Sequence, residues 1–129
     1  MNGDTSASIV SSLDEVPKIN YNYNEESNVV VTGTQEANAI DFILNRGSRT
    51  TINGNENNDI ISNTGETNNV VINGEAGNDD MLVDGSNLTV NGGAGNDYIR
   101  LNNGSNANVD GGDGNDEFSV DWEVKNATI

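Results

Sequence analysis

The sequence predicts an all-β fold, a right-handed parallel β-solenoid of about six coils. Three features of its 129 residues support this prediction. A segment rich in asparagine and glycine recurs about every 19 residues, apolar residues alternate with polar ones between the recurrences, and a second glycine lies midway through most repeats. Recurrence at this spacing is typical of a chain in which each repeat forms one coil and packs only on its neighbours.

The repeat is defined by a glycine that opens each turn and an aspartate that closes it. The opening glycines are residues 33, 54, 74, 92 and 111, so successive repeats are 21, 20, 18 and 19 residues long. Four turns align closely, at 53–59, 73–79, 91–97 and 110–116, and a degenerate one at 32–38 precedes them. Glycines 47, 65, 85 and 104 mark a second turn, because glycine tolerates positive φ.

Side chains two residues apart follow and precede each turn in the alternation of a β-strand. We expect these pairs to form four inward rows, with the polar residues between them facing water. After the turns they are Ile40 and Phe42, Ile61 and Asn63, Met81 and Val83, Ile99 and Leu101, and Phe118 and Val120. Before the turns they are Val29 and Val31, Thr50 and Ile52, Val70 and Ile72, Leu88 and Val90, and Ala107 and Val109. The stretch 19–23 is predicted to be the first strand.

Both ends of the chain depart from the repeat. Residues 1–16 lack it and are predicted to be a disordered tail, so the solenoid is assigned to 17–129. Ala127 and Ile129 correspond to Ala107 and Val109, and the chain stops where another turn is due. We therefore expect a piece of a longer repeat protein, truncated at its C-terminal end, with an open coil that favours end-to-end self-association.

Composition excludes several classes of function. The 21 acidic residues outnumber the five basic ones, for a formal charge of -16, so binding to nucleic acid is not expected. No apolar run approaches the ~18 residues of a membrane-spanning helix, so membrane insertion is not expected either. Without cysteine or histidine, the metal ligands left are oxygens, which suit calcium or magnesium rather than zinc, copper or haem iron.

The turns contain a pattern of oxygen donors. Their glycines let the backbone bend so that carbonyls face one side, and the aspartate adds a carboxylate at the end of the bend. Stacked turns lie about 4.8 Å apart, so a cation between two of them can draw oxygens from both. Calcium accepts about six to eight oxygens at 2.3–2.6 Å in flexible geometry, whereas magnesium demands a stricter octahedron, so calcium is favoured.

The turns at 92–99 and 111–118 have the sequences Gly-Gly-Ala-Gly-Asn-Asp-Tyr-Ile and Gly-Gly-Asp-Gly-Asn-Asp-Glu-Phe. They resemble the RTX, or haemolysin-type, calcium-binding repeat G-G-x-G-x-D-x-U-x. The turn at 74–81 matches with Glu75 in place of the second glycine. The turn at 54–61 has Asn55 and Asn57 in place of two glycines, and the turn at 33–40 has Asn38 where aspartate belongs.

The resemblance implies a parallel β-roll whose turns hold calcium through aspartates and through backbone carbonyls of neighbouring coils. The implied side-chain ligands are Asp59, Asp79, Asp97 and Asp116, with Asn38 as a lesser ligand. The implied carbonyl ligands are Gly54, Gly74, Ala76, Gly77, Gly92, Gly93, Ala94, Gly95, Gly111, Gly112, Asp113 and Gly114. The motif recurs about every 19 residues here and about every nine in the family's common form, so about three to four calcium ions are expected along one edge only.

The resemblance also implies a function. It indicates a calcium-dependent module that folds when the metal binds. It further implies type I secretion to the cell surface or the extracellular medium. The expected role is structural: an extender or a secretion-aiding segment within a larger secreted or surface protein, with calcium and the flanking repeats or domains as partners.

Other functions stay open at this point. A solenoid face can bind ice or carbohydrate, although the row of threonines that favours ice binding is absent. The chain could also be a non-catalytic repeat module of a secreted polysaccharide-modifying enzyme. An enzyme is not expected in these residues, because Arg46, Arg49 and Arg100 lie beside no evident base. A single Asn-Gly turn needs no metal, but four aspartates stacked about 5 Å apart would repel one another without a cation.

Overall fold

The computed structural model describes residues 18–35 and 39–129. The predicted tail 1–16 and the predicted ligand Asn38 lie outside these residues. Within the described part, no helix is long and apolar enough to cross a membrane. The strands are β1 Lys18–Asn24, β2 Val30–Thr32, β3 Ala39–Asn45, β4 Thr51–Glu56, β5 Ile60–Asn63, β6 Val71–Ala76, β7 Asp80–Ala94, β8 Tyr98–Asp113, β9 Glu117–Val120 and β10 Lys125–Thr128.

Six stacked coils form the parallel β-solenoid that the sequence predicts. One side of every coil belongs to sheet A, in which β1, β3, β5, β7, β8 and β9 are successive neighbours. The other side belongs to sheet B, formed by β2, β4, β6, β7, β8 and β10. All of these pairings are parallel, and β7 and β8 contribute to both sheets because each continues through the turn between them.

The interior is a narrow apolar core. In sheet A, Ile43, Ile61, Met81 and Ile99 lie in register and are no more than 1% exposed. From sheet B, the core receives Ile52, Ile72, Val90 and Val109. The inward pairs predicted from Ile61 to Val109 are therefore confirmed, and Phe118 and Val120 continue two of the rows in β9.

The second coil departs from the predicted register. We expected Ile40 and Phe42 to point inward, but both are only half-buried, and Asp41 and Ile43 are buried instead. The physical reason is the length of the preceding turn. Asp41 stands eight positions after Gly33, whereas Asp59 stands five positions after Gly54. The three extra residues are an odd number, so they reverse which side chains face the core.

The first strand also reverses the expected alternation. It aligns Asn20, Asn22 and Asn24 with the inward residues of β3. Its apolar residues lie on the outer face instead and are strongly exposed: Ile19 65%, Tyr21 79% and Tyr23 54%. The expectation that polar residues face water is therefore wrong at this end of the solenoid.

Candidate metal-binding edge

The coils turn at two edges that differ in chemistry. The glycine edge comprises the turns from sheet B to sheet A, at 54–59, 74–79, 92–97 and 111–116, together with the longer turn that begins at Gly33. The asparagine edge comprises the turns from sheet A to sheet B. It repeats an asparagine in the left-handed conformation, with φ between 55° and 64°, at Asn28, Asn69, Asn87, Asn106 and Asn126.

Four turns of the glycine edge, at 54–59, 74–79, 92–97 and 111–116, have positive φ at the second and fourth motif positions although their sequences differ. In the turn 92–97, the second and fourth motif positions are Gly93 and Gly95, with φ of 114° and 138°. The corresponding residues Asn55 and Asn57 have φ of 81° and 82°, and Glu75 has φ of 80°. The departures from the motif therefore keep its geometry, at a cost in strain that glycine would avoid.

Five aspartates, which we call the aspartate row, lie along the inner side of the glycine edge: Asp41, Asp59, Asp79, Asp97 and Asp116. The amide N–H of each of the first four donates to Oδ1 of the aspartate in the next coil, at 2.9, 2.8, 2.8 and 2.9 Å in chain order. Asp41, Asp59, Asp79 and Asp97 are no more than 2% exposed. The structure thus brings the four aspartates that the sequence predicted as ligands into one row.

Asp41 is the member of the row that sequence analysis missed. The motif puts Asn38 at this point of the repeat, but the strand register places Asp41 beside Asp59. Asp41 differs from the others because its Oδ2 accepts the amide N–H of Thr34, at 2.5 Å. The one signal in the sequence was the run Ile40-Asp41-Phe42-Ile43, in which two alternating registers compete.

The second carboxylate oxygen of three inner aspartates has no hydrogen-bond partner. These buried atoms are Oδ2 of Asp59, Asp79 and Asp97. Each lies beside the opening glycine of its own turn. The carbonyl oxygen of the next coil's opening glycine comes close to the same point. A Cβ built on Gly54 would lie 2.7 Å from Asp59 Oδ2 and 2.8 Å from Gly74 O, and Gly74 and Gly92 are crowded in the same way. Two oxygens therefore converge at each opening glycine, and no side chain fits there.

Burial changes the acidity of these carboxyl groups. Loss of hydration raises the pKa of Asp59 to about 7, aided by the charges of Asp79 and Asp41 and opposed by the hydrogen bond from the Asp41 amide. Loss of hydration, reinforced by the charge of Asp97, raises the pKa of Asp79 to about 6. The pKa of Asp97 is raised for the same reason. Near neutral pH, such a row is stabilised by protons or by a cation.

The predicted carbonyl ligands lie in register along the same edge. Ala76, Ala94 and Asp113 align across three coils. The carbonyl of Ala94 accepts the amide N–H of Gly77, and that of Asp113 accepts the amide N–H of Gly95, both at 2.9 Å. A carbonyl oxygen has two lone pairs, so each of these two retains one acceptor position.

The donor set of the glycine edge fits a hard divalent cation, because all of its donors are oxygens. Among residues 18–35 and 39–129, no three acidic side chains come close enough to hold one metal ion together. An ion here would therefore use at most two carboxylates and would take its other ligands from carbonyls or water. The unpartnered Oδ2 atoms and the converging glycine carbonyls are the groups that such an ion would satisfy.

The asparagines of the asparagine edge hydrogen-bond to one another along the stack. Asn87 Nδ2 donates to Asn68 Oδ1 at 2.7 Å, and the ladder continues from Asn106 to Asn87 at 3.1 Å and from Asn126 to Asn106 at 3.2 Å. A carboxamide both donates and accepts, so it can stack on copies of itself without a ligand. The asparagine ladder therefore needs no cation, although Asp84 at the same edge keeps a buried Oδ1 without a hydrogen-bond partner.

Comparisons of the chain with protein-family models, with curated proteins and with solved structures found no match. The likeness to calcium-binding repeats therefore depends on the motif and its register. The fold itself is that of a repeat module, a parallel β-solenoid.

Proposed function

We propose that this chain is a calcium-binding β-roll module of the RTX type that folds when the metal binds. Asp59, Asp79, Asp97 and Asp116 would hold the ions together with carbonyls of the turns, and the expected number stays about three to four. Asp41 adds a fifth carboxylate to the row. The metal supplies the positive charge that the row lacks.

The observation that supports this proposal is the set of three buried, unpartnered Oδ2 atoms in the aspartate row. Leaving a buried acceptor unsatisfied costs about 1–3 kcal/mol, and more when the group is charged. The chain has 21 acidic residues and only five basic ones, so its own side chains offer few counterions. A divalent cation between the coils removes this cost at several positions at once.

Coupling between calcium binding and folding follows from the small core. Ile, Leu, Val and Phe together count 29 of the 129 residues, or about 22%, close to the ~20% below which a highly charged chain tends to be disordered. An ion that binds only the folded state adds about 1.4 kcal/mol of stability when its concentration is ten times its dissociation constant. Three to four such contributions, about 4–6 kcal/mol in total, are comparable to the lower end of the roughly 5–15 kcal/mol by which a domain is usually stable.

The biological role that suits this behaviour is structural. Extracellular calcium modules bind with dissociation constants of about 10⁻⁴–10⁻³ M. Such a module would stay unfolded in a calcium-poor cytosol and fold after export, in agreement with type I secretion. It would act as an extender or a secretion-aiding segment of a larger secreted or surface protein.

Circular dichroism of the full chain, in a chelator and then in millimolar calcium, tests the proposal. We expect a gain of β-structure and a higher melting temperature in calcium, together with calcium uptake in isothermal titration. Asp79→Asn keeps the acceptor for the Asp59 amide but removes a charged ligand, so it should reduce the calcium-induced rise in melting temperature.

The matched control is Asp80→Asn, which makes the same change in charge one residue later. Asp80 lies on the outer face and pairs with Arg100 at 2.6 Å, so its replacement should leave the calcium response nearly unchanged. Equal β-content in chelator and in calcium would refute the coupling of folding to the metal. Equal calcium responses of the two variants would refute the assignment of the site to the aspartate row.

A further inference from the structure

The outer face of sheet A has an apolar patch at its N-terminal end. We call this the upper patch, and its members come from β1, β3 and β5: Ile19, Tyr21, Tyr23, Ile40, Phe42, Leu44 and Ile60. The rings of Tyr21 and Phe42 stack with their centroids 5.0 Å apart, and Ile60 is the register partner of Phe42. An apolar patch of this kind often has a function, such as binding another segment or molecule.

The same columns become polar and charged in the lower coils. Below Ile60 the column continues with Asp80, Tyr98 and Glu117. Arg100 lies over the Tyr98 ring and forms its ion pair with Asp80. Apolar side chains are therefore concentrated in the first three coils, although Leu82 of β7 lies on the same face, next to Arg100 in register.

The length and position of residues 1–17 make this segment a candidate to cover the upper patch. Residues 1–17 lead directly into β1, the outermost strand of the upper patch. They contain Ile9, Val10, Leu13 and Val16, which are apolar. An extended chain advances about 3.3 Å per residue, so a few residues are enough to double back across three strands about 4.8 Å apart.

Charge favours the same occupant. Residues 1–17 contain Asp4, Asp14 and Glu15 and no basic residue. The upper patch is bordered by Lys18, at the start of β1, and by Arg46, directly after β3. These are two of the chain's five basic residues, in a molecule of net charge -16. Residues 1–17 are acidic and partly apolar, so their charge complements this basic border.

The size of the upper patch argues against a second copy as the occupant. Three strands and three side-chain rows span about 15 Å by 20 Å, or roughly 300 Å². A stable interface between two proteins buries about 800 Å² from each partner. A segment of the same chain needs less area, because it does not lose the translational freedom of a separate molecule.

We propose that residues 1–17 of this chain pack on the outer face of sheet A and cover the upper patch. The repeat pattern by itself favours a disordered tail here, and the exposed apolar face is the observation that favours a docked segment. The contact lies outside the glycine edge and uses none of the proposed calcium ligands.

Paramagnetic relaxation in the full chain, in saturating calcium, tests this contact. The chain has no cysteine, so Ser12→Cys offers a single position for a nitroxide label. The amide signals of Tyr21, Phe42 and Ile60 should lose most of their intensity, whereas those of Tyr98 and Glu117 on the same face should keep theirs. Uniform retention of all these signals would overturn the proposal.

Two further variants make the test specific. Adding Leu13→Asp to the labelled chain should restore the signals of the upper patch, because it removes an apolar contact. Adding Ser11→Asp introduces the same charge next to the label and should leave the loss unchanged. Equal behaviour of the two variants would overturn the apolar contact. Signal loss in a mixture of labelled and isotope-enriched unlabelled chains would assign the upper patch to a second copy instead.

Discussion

The two edges of the solenoid stack polar side chains at the same spacing but satisfy them differently. On the asparagine edge, the carboxamides of Asn87, Asn106 and Asn126 each donate to an asparagine of the coil before. On the glycine edge, Asp59, Asp79 and Asp97 accept one backbone N–H each and keep a second oxygen without a donor. A carboxylate cannot donate, so a row of aspartates is incomplete where a row of asparagines is complete. The difference teaches that the asparagine ladder is complete by itself, whereas the aspartate row needs a proton or a cation.

The largest effect is expected from the backbone contacts of the glycine edge. A Cβ on Gly95 would overlap the carbonyl of Gly77 in the coil before, whereas a Cβ on Gly65 of the asparagine edge would meet nothing within 4 Å. Both glycines have positive φ, so the pair separates the close contact from the strain. Gly95→Ala should cost about 3–4 kcal/mol and Gly65→Ala about 1 kcal/mol. Urea unfolding in calcium measures both, and equal costs would contradict close stacking of the turns.

Asp79→Ala should have the next largest effect. It leaves the buried N–H of Asp59 without an acceptor, and it removes one proposed ligand. We expect a loss of about 2–3 kcal/mol in the free energy of unfolding in saturating calcium. A chemical denaturation series with and without calcium measures this loss. A cost below about 0.5 kcal/mol would show that the aspartate row contributes little to the fold.

The acidity of the aspartate row gives the calcium-free chain a distinctive pH dependence. The folded pKa of Asp59, about 7, and that of Asp79, about 6, lie above the unfolded value of 3.8. The folded state therefore binds more protons than the unfolded state between pH 4 and pH 7, and lowering the pH in this range stabilises it.

Circular dichroism of the calcium-free chain should show more β-structure at pH 5 than at pH 8. In calcium the trend should reverse, because protons compete with the ion for the same carboxylates, so the calcium-induced rise in melting temperature should shrink toward pH 5. Asp79→Asn should weaken both trends. A calcium-free chain that loses β-structure on acidification would contradict the burial of these carboxyl groups.

The smallest effect is expected on the asparagine edge. Asn87→Ala removes two exposed hydrogen bonds from the asparagine ladder, one to Asn68 and one from Asn106. The groups left behind can bond to water, so the loss should stay below about 1 kcal/mol and be the same with and without calcium. Thermal melts in both conditions measure it. A loss that depended on calcium would mean that the two edges are coupled.

The sequence was sufficient to predict which side chains face the core in the third to sixth coils, because their turns share one length and one pattern of glycine and aspartate. The second coil was not predictable in the same way. The run from Ala39 to Asn45 offers two alternating registers, and apolar burial alone favours the one that turns Ile40 and Phe42 inward. The observed register is the one in which the Asp41 amide donates to Asp59, a contact between coils that no local pattern reveals.

The candidate site was predictable only in part. The motif correctly placed Asp59, Asp79, Asp97 and Asp116 in one row, because its spacing repeats with the coil. It could not indicate that one oxygen of each inner carboxylate accepts an amide N–H from the coil before, or that the other oxygen has no hydrogen-bond partner. That detail depends on how closely the turns stack, which the crowded opening glycines reveal in three dimensions.

The hydrogen bonds of the glycine edge run in both directions along the stack. The amide N–H of Asp79 donates to the Asp97 side chain in the following coil, at 2.8 Å. The neighbouring amide N–H of Asn78 donates to the Asn58 side chain in the preceding coil, at 2.7 Å. No turn supplies both of its own partners. The smallest fragment with one fully bonded turn therefore contains three coils, and a shorter peptide cut from this protein would lack the minimal unit of its architecture.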